Sequence, residues 1–231
     1  MYEILDELQA ANPTLDIRAV SDSSFARYGR LLKGYEPDDV ISRARGILPQ
    51  SEDVVYEPSV PTLEEPADFN TLIEQRVFGG MPVQVGWCYG QNLRMGALEY
   101  HKGSEVNVCL TDVLLLVGHV QDISFDQEIS YDAAKVEAFF APEGSVIELS
   151  PWNLHFAPIH VREGERFATL VHLPLRTNES LPYEIEGDGE SRLLFAINKW
   201  LIAHPDAKAL IEQGAYPGIT GEDIEVTPIS K

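Results

Sequence analysis

Two short segments about fifty residues apart hold the side chains best suited to chemistry. The first is Glu99-Tyr100-His101-Lys102-Gly103-Ser104-Glu105, and the second runs from Gly144 through Ser150-Pro151-Trp152 to His155. His101 has a carboxylate two residues before it and another four residues after it, and His155 supplies a distant second imidazole. Imidazole nitrogens combined with carboxylate oxygens are the donor set that holds one divalent cation, and mixed N and O ligation suits Zn, Mn, Fe or Ni. Taken singly, each residue also reads as a solvated charge or a hydrogen-bonded rim histidine. It is their joint spacing that points to a site.

An extended strand could present these residues together, because alternate side chains share a face. On that reading Leu93, Met95, Ala97, Glu99 and His101 point one way, so an apolar face ends in a carboxylate and an imidazole. Burying those two groups without partners is costly. Gly103-Ser104 can bend or bulge the chain, after which Glu105, Asn107 and Cys109 again share a face and Glu105 returns beside His101. Residues 143–155 read as turn, strand, turn and then His155.

The surrounding texture is that of many short strands. Val83–Tyr89, Leu93–His101, Glu105–Leu110, Val113–Val117, Val136–Ala141, Ser145–Leu149 and Phe167–Leu173 are rich in Val, Leu and aromatics and are separated by Gly, Pro, Asp or Asn. Near-regular short strands argue for a sandwich or barrel. Before them, Ile4, Leu5 and Leu8 predict a helix closed by Asn12-Pro13. Ser21–Ser24 offers N-cap chemistry ahead of Phe25, Tyr28 and Leu31-Leu32, and Asp38-Asp39 starts a further helix. Residues 49–66, with Pro49, Pro58, Pro61 and Pro66 among acidic residues, predict a surface loop or belt, and Asp68–Arg76 a helical turn. After them, Leu193, Leu194, Ile197, Trp200 and Leu201 mark one helical face, with Pro205 at the start of another helix. The expected organisation is one domain over 1–231. Helices and the acidic loop (1–80) pack on a β core (81–180), and a helical extension follows (181–231).

The 231 residues carry 37 acidic against 17 basic side chains, a net charge of −20. Such a surface repels phosphate backbones and anionic membranes, which argues against nucleic-acid or membrane partners. Cys88 and Cys109 lie in apolar runs without framework spacing and read as reduced core thiols. No apolar run approaches the roughly 20 residues needed to cross a bilayer, and Met1–Asp6 lacks the features of a leader, so a cytoplasmic location is expected. His119, His172 and His204 read as structural, and His160 falls on the face opposite His155. Trp87 and Tyr89 could line a pocket but read more simply as packing.

The two segments together resemble the metal-binding motifs of the cupins. In that family a His-x-His pair is followed by a Glu four residues after the second His, and a later His lies eleven residues after a Gly. Here these slots fall on Glu99, His101 and Glu105, and on Gly144 and His155. The chain departs from the pattern in four places. Glu99 replaces the first His, Ser150 takes the Pro slot with Pro151 shifted by one, Trp152 takes the second Gly slot, and Asp112 stands where a Gly is usual. Within the cupins, Ser24–Arg30, Met95–Ser104 and His155-Phe156-Ala157-Pro158 are similar to ureidoglycolate lyase and its relatives, with Glu105 in place of that family's Gln. The chain also resembles an uncharacterised bacterial cupin family of this length.

The resemblance implies a mainly β, single jelly-roll (cupin) barrel with flanking α-helices at both termini and a divalent metal held by His101, Glu105 and His155. Glu99 would be a fourth ligand or the catalytic general base. The expected activity is lyase or isomerase chemistry on a small hydroxy-acid or sugar-derived metabolite, in a homodimer. The alternatives are a non-catalytic metabolite-binding cupin and a degenerate one without metal.

Overall fold

The alternation of side chains in the β segments separates two kinds of apolar surface. Val106 and Val108 face one way while Glu105, Asn107 and Cys109 face the other. Likewise Leu114 and Leu116 oppose Val113, Leu115 and Val117. A strand apolar on both faces must lie between two covering layers. The computed structural model, which describes residues 2–185 and 187–230, has such layers; Met1 and Lys231, the ends of the expected domain, and Glu186 lie outside the described residues.

The protein is mainly β. One six-stranded sheet runs in the order Gly29–Leu31, Val146–Leu149, Glu105–Cys109, Phe167–Pro174, Val83–Gly90 and Val55–Glu57, with antiparallel pairing throughout. A second sheet places Glu137–Ala141 between Ile17–Ala19 and Val113–His119, with Asn153–Leu154 and Ile159–His160 on the far edge of Val113–His119. The two sheets share a core of Val113, Leu115, Val117 and Phe139 from one, and Cys109, Ile147, Leu149, Phe167 and Val171 from the other. Phe25 and Tyr28 seal one end against Phe139, at centroid distances of 5.0 and 5.7 Å.

Helices cover the outer face of the six-stranded sheet. Val40, Ile41 and Ala44 of the Asp38–Ile47 helix and Phe69 and Ile73 of the Asp68–Arg76 helix pack on Val85, Trp87, Val106, Val108 and Leu170. The Tyr2–Ala11 helix buries Leu8 against the outside of the second sheet. Asp22 caps a short 3-10 helix, Ser23–Arg27, by accepting from the Ser24 amide.

Three expectations need correction. The belt at 49–66 is not only surface loop. Val55–Glu57 pairs with Val83–Gly90, and Val60 and Leu63 are buried. The expected C-terminal helical extension is largely β: a 3-10 turn at Gly189–Leu193 leads into a hairpin of Leu194–Ala196 and Lys199–Ala203. The helix that follows is the five-residue Lys208–Glu212, so Pro205 does not start it. Asn198, at φ 56, reverses the chain, and Lys199–Ala203 then gains a full antiparallel partner in Ala97–Tyr100. Ladder hydrogen bonds and burial of Leu201 and Ile202 outweigh the helical spacing of the side chains.

The third correction concerns the strand face ending at His101. Gly96 has φ 62, a left-handed turn that resets the alternation. Met95 therefore packs with Leu98 and Tyr100, while Ala97 alone among the apolar residues of that run shares the side of Glu99.

Candidate metal centre

Four strands bring five residues to the site. Glu99 and His101 come from the end of the Ala97–Tyr100 strand, and Glu105 from the first residue of Glu105–Cys109. His155 follows Asn153–Leu154 directly, and Lys199 opens the C-terminal strand. Two backbone hydrogen bonds join Glu99 to His155: the Glu99 amide donates to the His155 carbonyl (2.6 Å) and the His155 amide to the Glu99 carbonyl (3.0 Å). Glu99, His101, Glu105 and His155 are all largely buried.

The orientation of the two imidazoles is fixed from behind. His101 Nδ1 lies 2.7 Å from the carbonyl oxygen of Asn198, which can only accept, so the proton sits on Nδ1. His155 Nδ1 lies 3.0 Å from Asn153 Oδ1, again an acceptor. Both rings thus turn Nε2 inward, and both Nε2 atoms face one oxygen, Glu105 Oε2, at 3.4 Å for His101 and 3.3 Å for His155. Glu99 Oε1 is 3.7 Å from His101 Nε2. The second oxygen of Glu105 accepts from Asn107 Nδ2 at 2.8 Å.

With Nδ1 protonated, each Nε2 would turn a lone pair toward a carboxylate lone pair unless positive charge lies between them. Two extra protons or one divalent cation would meet that demand. The distances suit the cation. Ligand atoms about 2.0–2.1 Å from a tetrahedral Zn ion are separated from one another by about 3.3–3.4 Å. Glu99, His101 and His155 offer ligand atoms within 4.8 Å of one another, and His101 Nε2 is a buried nitrogen without a hydrogen-bond partner. Hydrogen bonds from ligating histidines through Nδ1 to carbonyl oxygens are the usual way such rings are held. The residues fit a divalent metal.

Lys199 is the residue that sequence reasoning missed. Its ammonium abuts Glu99 Oε2 and lies 5.8 and 5.9 Å from the ring centroids of Phe156 and Phe195. Burial raises the Glu99 carboxyl, but Lys199 and the neighbouring His101 outweigh it and hold the group at about 2. Burial lowers His101, yet the facing carboxylates of Glu105 and Glu99 outweigh that and raise it to about 9. Glu105, raised by burial and lowered more strongly by the two histidines, ends below the usual carboxylate range.

A cavity of about 40 Å³ adjoins the cluster, lined by Glu99, Glu105, Asn107 and His155 with Tyr56, Phe156 and Thr169 among the rest. Tyr56 OH accepts from Asn178 Nδ2 at 2.8 Å. Burial, followed by the charge of Glu105, keeps the phenol protonated far above neutral pH. Tyr56 carries no signal in the sequence, because the prolines and acidic residues around it are those of a surface belt.

The other histidines have local partners. His119 Nδ1 accepts from the Gln121 amide, His160 Nδ1 from the Asn92 amide and His204 Nδ1 from the Asp206 amide, while His172 Nε2 faces Asn70 Oδ1. Cys88 and Cys109 are buried free thiols, and Trp87 and Tyr89 pack edge to face beneath the helices, away from the site. No helix among the described residues is long and apolar enough to cross a membrane.

A family model described as "Domain of unknown function (DUF4867)" matches residues 17–224. Among solved structures, the chain is similar to a mutant of oxalate decarboxylase from Bacillus subtilis, at 12% identity over 44% of this chain and 24% of that one (TM-score 0.28). It is also similar to vicilin from Solanum melongena, at 12% identity over 54% of this chain and 29% of that one (TM-score 0.32). A further oxalate decarboxylase structure from Bacillus subtilis, concerned with its Mn(II) centres, matches at 11% identity over 55% and 27% (TM-score 0.29). The matches thus span about a quarter of the length of these structures. No curated protein matches the sequence.

Proposed function

The chain belongs to the DUF4867 family, and within it we propose a cupin-type jelly roll that holds one divalent cation and acts on a small hydroxy acid as a lyase or isomerase. The observation that carries this reading is the convergence of His101 Nε2 and His155 Nε2 on a single oxygen of Glu105, with both Nδ1 atoms committed to acceptors behind them. His101, Glu105 and His155 would be the ligands. Zn, Mn, Fe and Ni all accept this donor set.

A bound divalent cation supplies Lewis acidity toward a substrate oxygen and the charge that develops on it. This chain's residues supply the rest. The cavity's roughly 40 Å³ favours a ligand of a few heavy atoms, which places a short hydroxy acid ahead of a larger sugar derivative. Tyr56 keeps its phenolic proton and, having accepted from Asn178, can donate to a substrate oxygen. Phe156 and Leu115 exclude bulk water from the cavity wall. Glu99, whose carboxylate Lys199 holds ionised, would serve as a fourth ligand or as the general base beside the metal.

A second reading rests on Lys199. Protonated His101 and Lys199 together balance the two carboxylates, which is what a metal-free binding cup would use. Metal analysis of the protein purified at neutral pH separates the two. Stoichiometric metal in the wild type, lost in His101→Ala and in His155→Ala, supports the metal centre. A folded wild type that takes up neither Zn²⁺ nor Mn²⁺ overturns it in favour of the binding cup.

A further inference from the structure

On the metal-centre reading, His101, Glu105 and His155 each aim one atom at a common point, but Glu99 is divided. Its Oε1 faces His101 Nε2 at 3.7 Å, while its Oε2 abuts the Lys199 ammonium. Lys199 does not line the cavity, so it is not placed to touch a substrate there. Its side chain is only 14% exposed and is walled by Phe156 and Phe195, so its charge is poorly screened by water. Among the described residues Glu99 is the carboxylate recorded in an ion pair with it.

The backbone explains why the lysine is there. In the antiparallel ladder Leu201 opposes Glu99 and Trp200 opposes Tyr100. Lys199, two residues before Leu201, lies on the same sheet face as Glu99 and reaches it diagonally. The preceding residue, Asn198, holds His101 through its carbonyl. One hairpin therefore positions a ligand ring and delivers a fixed cation to a neighbouring ligand carboxylate.

We propose that Lys199 is an internal competitor for the metal: its ammonium occupies Glu99 and so sets the cation affinity of the cup below what its four donors could reach. The inference rests on the metal-centre reading and adds a positioning residue to it. Two positive centres cannot share Glu99 at full strength. The metal therefore binds through His101, Glu105 and His155, with Glu99 drawn between the metal and the lysine. A site tuned in this way keeps its cation exchangeable.

Zn²⁺ alone is the probe, titrated at pH 7.5 against a chromophoric chelator into wild type, Lys199→Met and Lys199→Gln. Methionine keeps an unbranched stem against Phe156 and Phe195. Freeing the Glu99 carboxylate from the ammonium should tighten Zn²⁺ binding at least about tenfold, the scale on which partners of a ligand act. The same change made in a Glu99→Gln background should alter affinity less than about threefold, because the competition runs through Glu99. This second comparison also serves if Lys199→Met alone, with Glu99 left unpaired, fails to fold. Weaker or unchanged binding in Lys199→Met or Lys199→Gln overturns the inference and makes Lys199 a support for Glu99; so does a full tenfold gain that persists without Glu99. If no form binds Zn²⁺, the metal-centre reading falls with it. If wild type binds and the lysine variants bind no tighter, only the inference falls.

Discussion

Asn198 fixes the tautomer of His101. Its carbonyl oxygen lies 2.7 Å from Nδ1, and it does so from a left-handed backbone, φ 56, at the tip of a hairpin. The Asn198 side chain secures that turn by accepting from the Lys102 amide at 2.9 Å and donating to Thr177 Oγ1 at 3.0 Å. Asn198→Ala should lose about 1–2 kcal/mol of stability, from backbone strain alone, together with metal affinity. Asn198→Gly should recover the strain and lose only the side-chain bonds. Denaturant unfolding, paired with nitrogen-15 spectra of the histidine ring, checks both parts: the Nδ1–H form of His101 should persist in the glycine variant.

Glu105 is the hub of the cluster, and its charge matters more than its shape. In Glu105→Gln an amide replaces the oxygen that both Nε2 atoms face, so the cation loses an anionic ligand. Loss of a partner outside the ligand shell typically costs 10–100-fold in affinity, so losing a direct ligand should weaken Zn²⁺ binding by about 100-fold or more. Chelator competition measures it; an affinity within tenfold of wild type would remove Glu105 from the ligand set.

Metal uptake should release a proton. His101, raised to about 9 in the metal-free protein, is charged at pH 7 and must give up its Nε2 proton to coordinate. Affinity should therefore rise with pH, by about tenfold per unit, and level off near pH 9. Calorimetry in two buffers of different ionisation enthalpy counts the protons. The stability of the metal-free protein should move the other way. The raised value in the folded state stabilises fully below the ordinary histidine value of 6.5, and that contribution disappears as pH climbs through about 9. At the acid end, Glu99 contributes above the ordinary carboxyl value of 4.5 and loses its contribution as pH falls through about 2.

Gly96 sets the phase of the ligand-bearing strand. Its φ of 62 suits glycine, and a Cβ there would meet nothing within 4 Å, so any penalty in Gly96→Ala is conformational. A loss of about 1–2 kcal/mol is expected. If the strand instead slips to relieve the strain, Glu99 and His101 exchange faces with their neighbours and metal binding vanishes. Unfolding and metal titration on the same sample distinguish the two outcomes.

The sheets were legible in the sequence wherever one face of a strand differed from the other. Glu105, Asn107 and Cys109 alternate with Val106 and Val108, and the structure places the two sets on opposite sides. His101, Glu105 and His155 could be grouped because the first two are close in sequence and the third follows a recognisable turn. Lys199 could not. The spacing of Leu193, Ile197, Trp200 and Leu201 satisfies a helix, which would have left Lys199 on a solvated face. Only the pairing of its strand with Ala97–Tyr100, a contact a hundred residues away, turns it toward Glu99. Tyr56 was hidden for the same reason. Its strand is three residues long and gains its identity from Val83–Gly90, while the prolines around it signal a loop. Non-local pairing decides both cases, and single-sequence periodicity does not register it.

The reciprocal main-chain bonds between Glu99 and His155 tie two distant stretches of the chain at the point where their side chains meet. The cage therefore stands ready-made before any ion arrives. Loading it should require no coupled folding, so amide exchange in the Ala97–Tyr100 strand should be about as slow without metal as with it. Such a protein would sample whichever cation its surroundings offer, and local metal availability would then decide its occupant.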